Sequence, residues 1–145
     1  MPHLTAQCAR QGPLLDLLIG VSAPRQQALE AAALPVPPPK PIRGLIDTGA
    51  SCTCVDPSVF AQLGITPTGM TSIVTPSTGE TPHVCNQFDV RIVLVHPESS
   101  IAFNALPVIE SRLAHQGFQA LIGRDMLSRC LLVYDGKHGA FSLAF

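Results

Sequence analysis

The chain has 145 residues, 46% of them hydrophobic, which is enough apolar material for one domain with a buried core, residues 1–145. Only 13% are charged and the formal net charge is −1, which argues against a nucleic-acid partner, and no apolar run approaches the ~20 residues that cross a membrane. The five cysteines are odd in number and irregularly spaced, so we expect no disulfide framework and predict a soluble, cytoplasmic protein.

Short runs rich in Val, Ile, Leu and Thr, interrupted by 14 prolines and 11 glycines, predict an all-β fold. The first strand is predicted within Gly12–Ser22. A Pro/Ala-rich insertion follows, about residues 24–41, with a possible helical turn at Gln26–Ala33. Five prolines between Pro35 and Pro41 favour an extended conformation there, so the insertion is predicted to be an exposed loop.

The next predicted strand, Ile42–Ile46, runs into the turn "DTGAS", and a short helix is predicted soon afterwards. Asp56 is a good N-cap for this helix and Pro57 suits its first position. Gly64 can end the helix because glycine tolerates the left-handed conformation.

A protruding hairpin is predicted beyond this helix, with its tip at Pro76–Glu80, where Ser, Thr and Gly supply the turn. Partial alternation of apolar and polar residues predicts half-buried strands at residues 86–96 and 101–110. The chain is then predicted to form a strand ending at Gly123, a helical turn at Arg124–Arg129 and two further strands, of which the last is "AFSLAF".

Asp47 stands out because it follows a strand that is predicted to enter the core. A carboxylate in such a place is costly unless it is hydrogen-bonded, paired with a cation or protonated. Gly49 lets the backbone approach closely enough for its N–H to serve the carboxylate. The residues alone leave an ordinary turn between two strands open as an alternative.

The motif "LIDTGAS" at Leu45–Ser51, followed later by "ALIGRDML" at Ala120–Leu127, resembles the retropepsin-like aspartic proteases. The two motifs occur in the order of that family, and the predicted hairpin lies between them, where the family has its flap. The resemblance extends loosely over Leu14–Phe145. It implies a closed β-barrel with a flap and one or two short helices, forming a homodimer.

The resemblance also implies roles for particular residues. Asp47 is similar to the catalytic aspartate, and the flap corresponds to Ile73–Val84. The residues implied for the active-site loop are Thr48, Gly49, Ala50 and Ser51; for the flap tip, Pro76, Ser77, Thr78, Gly79 and Glu80; and for support behind the loop, Ile122, Gly123, Arg124 and Asp125. Ser51 stands where retroviral members often carry an acid, so an ion pair made there in those enzymes is not expected.

The implied activity is hydrolysis of a peptide or an unfolded protein by a water activated between two aspartates, with no cofactor and no metal. The chain has one Asp-Thr/Ser-Gly sequence, so the second carboxylate must come from Asp47 of a second copy. The terminal strand "AFSLAF" is then expected to interleave with its mate in the homodimer.

Two other functions are compatible with the sequence. One is a non-catalytic homodimeric module of the same fold that binds peptides without cleaving them. The other is a zinc site formed by Cys52, Cys54, His83 and Cys85, although small buried thiols that pack as apolar groups explain the cysteines more simply.

Overall fold

A computed structural model describes all 145 residues, and most of the regular structure is β. In chain order the elements are β1 (His3–Gln7), β2 (Leu14–Val21), α1 (Ala23–Ala31), β3 (Lys40–Ile46), β4 (Cys54–Val55), α2 (Pro57–Leu63), β5 (Gly69–Ile73), β6 (His83–Leu94), β7 (Ile101–Glu110), a 3-10 turn (Ala114–Gln116), β8 (Ala120–Ile122), α3 (Arg124–Leu127), β9 (Leu131–Asp135) and β10 (Ala140–Ala144). The all-β prediction is confirmed. None of the helices has the length and apolarity that crossing a membrane requires.

Six strands close into a barrel. Their order is β2-β3-β8-β4-β7-β6, and β6 pairs again with β2, so the ring has no free edge. The pairs β3–β8 and β4–β7 are parallel, and the others are antiparallel. β5 pairs with the first residues of β6, His83–Gln87, and forms with β6 the hairpin predicted from the sequence.

The barrel core follows from the alternation along β6. Phe88, Val90, Ile92 and Leu94 all point inwards and are at most 5% exposed. The ring of Phe88 stacks on Phe60 from α2 with 3.7 Å between centroids, which fixes the helix against the barrel. The return strand of the hairpin and the predicted strand at 86–96 are one continuous twelve-residue strand.

The helix predicted after Asp56 is confirmed as α2. The side chain of Asp56 accepts a hydrogen bond from the Ser58 N–H at 3.0 Å, and Pro57 occupies the first turn. Gly64 closes the helix with φ of 62°, in the left-handed region that glycine tolerates.

The insertion at 24–41 contains more regular structure than the sequence predicted. Instead of a helical turn at Gln26–Ala33, a nine-residue helix begins at Ala23, and Ser22 caps it by accepting from the Arg25 N–H at 3.3 Å. The residues 32–39 have no regular secondary structure, as expected from their prolines, and β3 already begins at Lys40.

A separate three-stranded sheet joins the two ends of the chain in the order β1-β10-β9. Phe141 in β10 is opposite Ala6 on one side and Tyr134 on the other. The expectation that "AFSLAF" interleaves with its mate is therefore wrong, because both edges of β10 are already paired within the chain. The free edges of this sheet belong to β1 and β9.

Candidate active site

The turn after β3 holds Asp47 at the rim of the barrel. Its backbone N–H donates to the Ile122 carbonyl at 3.0 Å, and its side-chain Oδ1 accepts from the Gly49 N–H at 2.9 Å. The carboxylate is half-buried and makes no ion pair. The close approach allowed by Gly49 thus gives Asp47 one hydrogen bond and leaves Oδ2 without a partner in the chain.

The second motif lies directly behind this turn, backbone against backbone. A Cβ added to Gly123 would be 2.4 Å from the carbonyl carbon of Cys52 and 2.9 Å from the Thr53 nitrogen. No side chain larger than hydrogen fits there. The two stretches that resemble the family motifs are therefore in direct contact, although they are far apart in sequence.

Arg124 braces the turn from the same side. Its backbone N–H donates to the Ala50 carbonyl at 3.0 Å, and its Nη1 donates to the carbonyls of Thr48 at 2.9 Å and Gly49 at 3.2 Å. The guanidinium therefore bonds backbone oxygens of the turn and makes no ion pair.

Asp125 fixes the residue that follows the turn. Its two oxygens accept from the backbone N–H of Thr53 at 2.8 Å and from the Thr53 hydroxyl at 2.7 Å. The same hydroxyl accepts from the Gly123 N–H at 3.1 Å, and Thr53 is fully buried. The sequence analysis did not single out Thr53, because its role depends on an aspartate that only the fold brings close.

Asp56 forms a second anchor below the site. Besides capping α2, it accepts from the backbone N–H groups of Leu113 and Ala114, each at 2.8 Å. Burial raises the pKa of this carboxyl, but the hydrogen bonds from Ser58, Ala114 and Leu113 outweigh burial and lower the pKa to about 2. The sequence indicated the helix cap but not this second use of Asp56.

Thr48 and Gly49 face outwards. Both are exposed, and the Thr48 hydroxyl makes no hydrogen bond within the chain. Thr48 is held only through its backbone carbonyl, so its side chain is available to another molecule.

A cleft of about 390 Å³ opens between this turn and the hairpin. Asp47 and the predicted loop residues Gly49, Ala50 and Ser51 line it on one side. Ile73 and Thr75 of the hairpin line the opposite side, and of the five predicted tip residues Pro76 alone reaches this cleft. Further apolar contact comes from Ile109 and Leu121, which the sequence analysis did not name.

The hairpin tip is held by its own hydroxyl groups. The Thr75 N–H donates to the Thr78 hydroxyl at 2.8 Å, the Thr78 N–H donates to the Thr75 hydroxyl at 3.2 Å, and Ser77 bonds Thr75 at 2.8 Å. Gly79 adopts φ of 61° as the turn closes. Ser77 and Thr78 line a neighbouring cavity, whereas Gly79 and Glu80 line neither.

The cysteines near the site are free thiols. Burial first, and the neighbouring Cys52 second, raise the pKa of the Cys54 thiol to about 12. The zinc alternative named four residues, Cys52, Cys54, His83 and Cys85, and they do not form a group that could hold a metal ion. The structure has no other group of three or more His, Cys, Asp or Glu side chains that could hold one.

Sequence comparison identifies the family of the chain. The profile of a family described as aspartyl protease matches residues 39–126, more than half of the chain, and the match includes Asp47, the hairpin and Asp125. The chain belongs to the aspartyl protease family. No curated protein sequence matches it significantly.

Solved structures of similar fold include a retropepsin-like aspartic protease from Rickettsia conorii, with 14% identity and a TM-score of 0.59 over 99% of this chain and 91% of that one. This similarity confirms that this member of the aspartyl protease family has the retropepsin-like fold. The retroviral protease-like domain of Ddi1 from Leishmania major has 15% identity over 88% of this chain and 86% of that one, with a TM-score of 0.44. The foamy viral protease-reverse transcriptase has 16% identity over 80% of this chain and 12% of that one, with a TM-score of 0.45.

Proposed function

We propose that the protein is a homodimeric aspartic endopeptidase that cleaves peptides or unfolded proteins. The observation that carries this proposal is the carboxylate of Asp47, which lines a cleft beneath the hairpin, has one oxygen held by the Gly49 N–H and makes no ion pair. Such a group can share a proton with a second carboxylate about 3 Å away, because two adjacent negative charges are unfavourable. One carboxylate then takes a proton from a water that attacks the peptide carbonyl, and the other protonates the leaving nitrogen.

The second carboxylate must come from another copy of the chain. Asp56 and Asp125 are the other acids built into this region, and both are occupied by backbone N–H groups. Neither is free to act on a water. Two copies of Asp47 across a two-fold axis complete the pair, and the exposed Thr48 hydroxyls would then meet at the same axis.

The free edge of β9 supports pairing between copies. It presents unpaired backbone groups together with three large exposed apolar side chains, Leu131, Val133 and Tyr134, which are 53–60% exposed. An open apolar edge of this kind favours addition of another strand. We therefore propose that β9, and not β10, pairs with its mate in the homodimer.

The test of the chemistry is cleavage of a denatured protein by wild type, Asp47→Asn and the matched control Asp16→Asn, over about pH 3 to 8. Asp16 is exposed on β2 and makes no hydrogen bond through its side chain, so Asp16→Asn is expected to leave cleavage unchanged. Asp47→Asn is expected to abolish cleavage in a protein that still folds. Peptide binding by wild type with no cleavage at any pH would instead indicate the binding module.

The test of the dimer uses the two free edges of one sheet. Val133→Lys places a charge on β9 and is expected to give monomers in sedimentation, together with loss of cleavage. Gln7→Lys places the same charge on β1 and is expected to leave both unchanged. If Gln7→Lys dissociates the protein and Val133→Lys does not, the interface is at β1.

A further inference from the structure

A second cavity, larger than the cleft of Asp47, lies beside that cleft. It measures about 610 Å³, and Asp47 does not line it. The two cavities adjoin, because Ile73, Thr75 and Ser111 line both. A peptide that lies in the cleft below the hairpin can therefore extend into the larger cavity.

One charged group in this cavity is held in a fixed position. Glu110 ends β7 and is half-buried, and its Oε2 accepts from the Asn86 side-chain nitrogen at 2.8 Å. Its Oε1 has no partner, and Glu110 makes no ion pair. A carboxylate that is held in one orientation, is partly shielded from water and has one oxygen without a hydrogen-bond partner is suited to bind a cation.

The other titratable groups of the cavity act more weakly on a bound cation than Glu110 does. Arg112 and His83 are exposed, and neither is paired with Glu110. Water screens an exposed charge more strongly than a half-buried one. Cys85 lies close enough to Glu110 for the carboxylate to raise the pKa of its thiol, second to the effect of burial, so this thiol carries no competing negative charge.

Because the two cavities share a wall, they can take alternate residues of one extended peptide. In an extended chain, every second side chain lies on the same face, about 7 Å further along. A substrate that places one apolar side chain in the cleft of Asp47 therefore presents the side chain two residues away to the larger cavity. Met70 and Ile73 line that cavity and can cover the apolar stem of a long side chain.

We propose that the larger cavity is a specificity site that binds a Lys or Arg side chain of the substrate through Glu110. This inference rests on the proposed peptidase function and narrows it. The preferred substrate carries a basic residue two positions from the apolar residue that occupies the cleft of Asp47. Glu110 is a specificity-determining residue and takes no part in the bond cleavage.

The test begins with a peptide that wild-type protein cleaves, found by mass spectrometry of products from a mixed synthetic library. That peptide is remade with Lys, norleucine or Glu at each position from the second to the fifth on either side of the cleaved bond. We expect one position at which Lys raises kcat/KM roughly tenfold over norleucine, and at which Glu lowers it. Preference for Glu at that position would overturn the proposal and assign the selection to Arg112.

Three variants then locate the preference. Glu110→Gln keeps the shape and the bond to Asn86, and is expected to abolish the Lys preference while norleucine peptides are cleaved as before. Glu110→Lys is expected to reverse it in favour of Glu. Glu98→Gln is the matched control, because Glu98 is exposed in the β6–β7 connection, at the opposite end of these strands from the cavity, and it should change nothing. A Lys preference that survives in Glu110→Gln would overturn the assignment.

Binding separates this inference from the proposed function. Fluorescent Lys, norleucine and Glu versions of a library peptide are titrated against Asp47→Asn protein, which is expected to bind without cleaving. If wild type cleaves no peptide, the peptidase proposal fails, while a roughly tenfold tighter binding of the Lys version that Glu110→Gln removes would still support the site. Equal binding of the three versions would overturn it.

Discussion

The two sides of the cleft are built in opposite ways. The turn at Asp47 is bonded from behind by Gly123, Arg124 and Asp125, and the central Thr53 is fully buried. On the other side, the outer strand of the hairpin, β5, pairs only with β6, and the hairpin tip is bonded only to itself. Its large side chains are open to solvent, with Met70 71% and Val74 65% exposed.

This difference matches what the proposed chemistry needs. A carboxylate that shares a proton with its mate must be held to within a fraction of an ångström. A cover over a peptide must open, and a hairpin with few buried contacts opens at low cost in free energy. Substitutions behind the turn should therefore be costly, and matched substitutions in the hairpin should be mild.

The largest effect is expected from a methyl group at Gly123. Gly123→Ala would place its Cβ 2.4 Å from a backbone carbon of Cys52, so the turn must shift. We expect a loss of about 3 kcal/mol in the free energy of unfolding, measured by urea denaturation, and loss of cleavage. Gly69→Ala in the hairpin meets nothing within 4 Å and is expected to be neutral. Equal losses in the two variants would contradict the comparison.

A somewhat smaller effect is expected at Thr53. Thr53→Val removes the hydroxyl that joins Asp125 to the Gly123 N–H and leaves both without that partner in the interior. We expect a loss of about 2 to 3 kcal/mol in unfolding free energy. Ser77→Ala removes an exposed hydroxyl bond at the hairpin tip and is expected to change stability by less than about 0.5 kcal/mol. The comparison fails if the hairpin variant is the more damaging.

The third effect depends on pH and concerns the anchor at Asp56. Its pKa is about 2 in the folded chain, below the ordinary value near 3.9 that applies to the unfolded chain. A lowered folded pKa adds stability above the unfolded value, and that stability is lost as the pH falls through the folded one. We expect the stability gap between wild type and Asp56→Asn to shrink by about 2 kcal/mol from pH 5 to pH 2. A gap that stays constant with pH would show that the carboxylate charge adds no stability.

Local sequence signals predicted much of the fold. Asp56, Pro57 and Gly64 specify α2 through capping, which depends only on neighbouring residues. The strand at residues 101–110 and the turn of the hairpin were also predicted correctly. For the site, the motif pair predicted that the loop of Asp47 and the Ile122–Gly123 pair would lie together, and the fold bonds the Asp47 N–H to the Ile122 carbonyl.

Long-range pairing could not be predicted from the same signals. β1, with the sequence "HLTAQ", has no clear apolar alternation, and it forms a strand because β10, at the other end of the chain, offers it an edge. The bond between Thr53 and Asp125 spans 72 positions. The cavity of Glu110 is assembled from β5, β6, the hairpin tip and the end of β7, so no local pattern indicates it.

The most direct test of the central claim is activity in mixed dimers. Wild-type chains are refolded together with a threefold excess of Asp47→Asn chains, with Asp16→Asn as the matched control. If each active site needs one Asp47 from each of two copies, cleavage per wild-type chain should fall to about a quarter when the partner is Asp47→Asn. With Asp16→Asn, whose chains are themselves active, cleavage per total chain should equal that of wild type alone. Undiminished cleavage in the presence of excess Asp47→Asn would contradict the shared site.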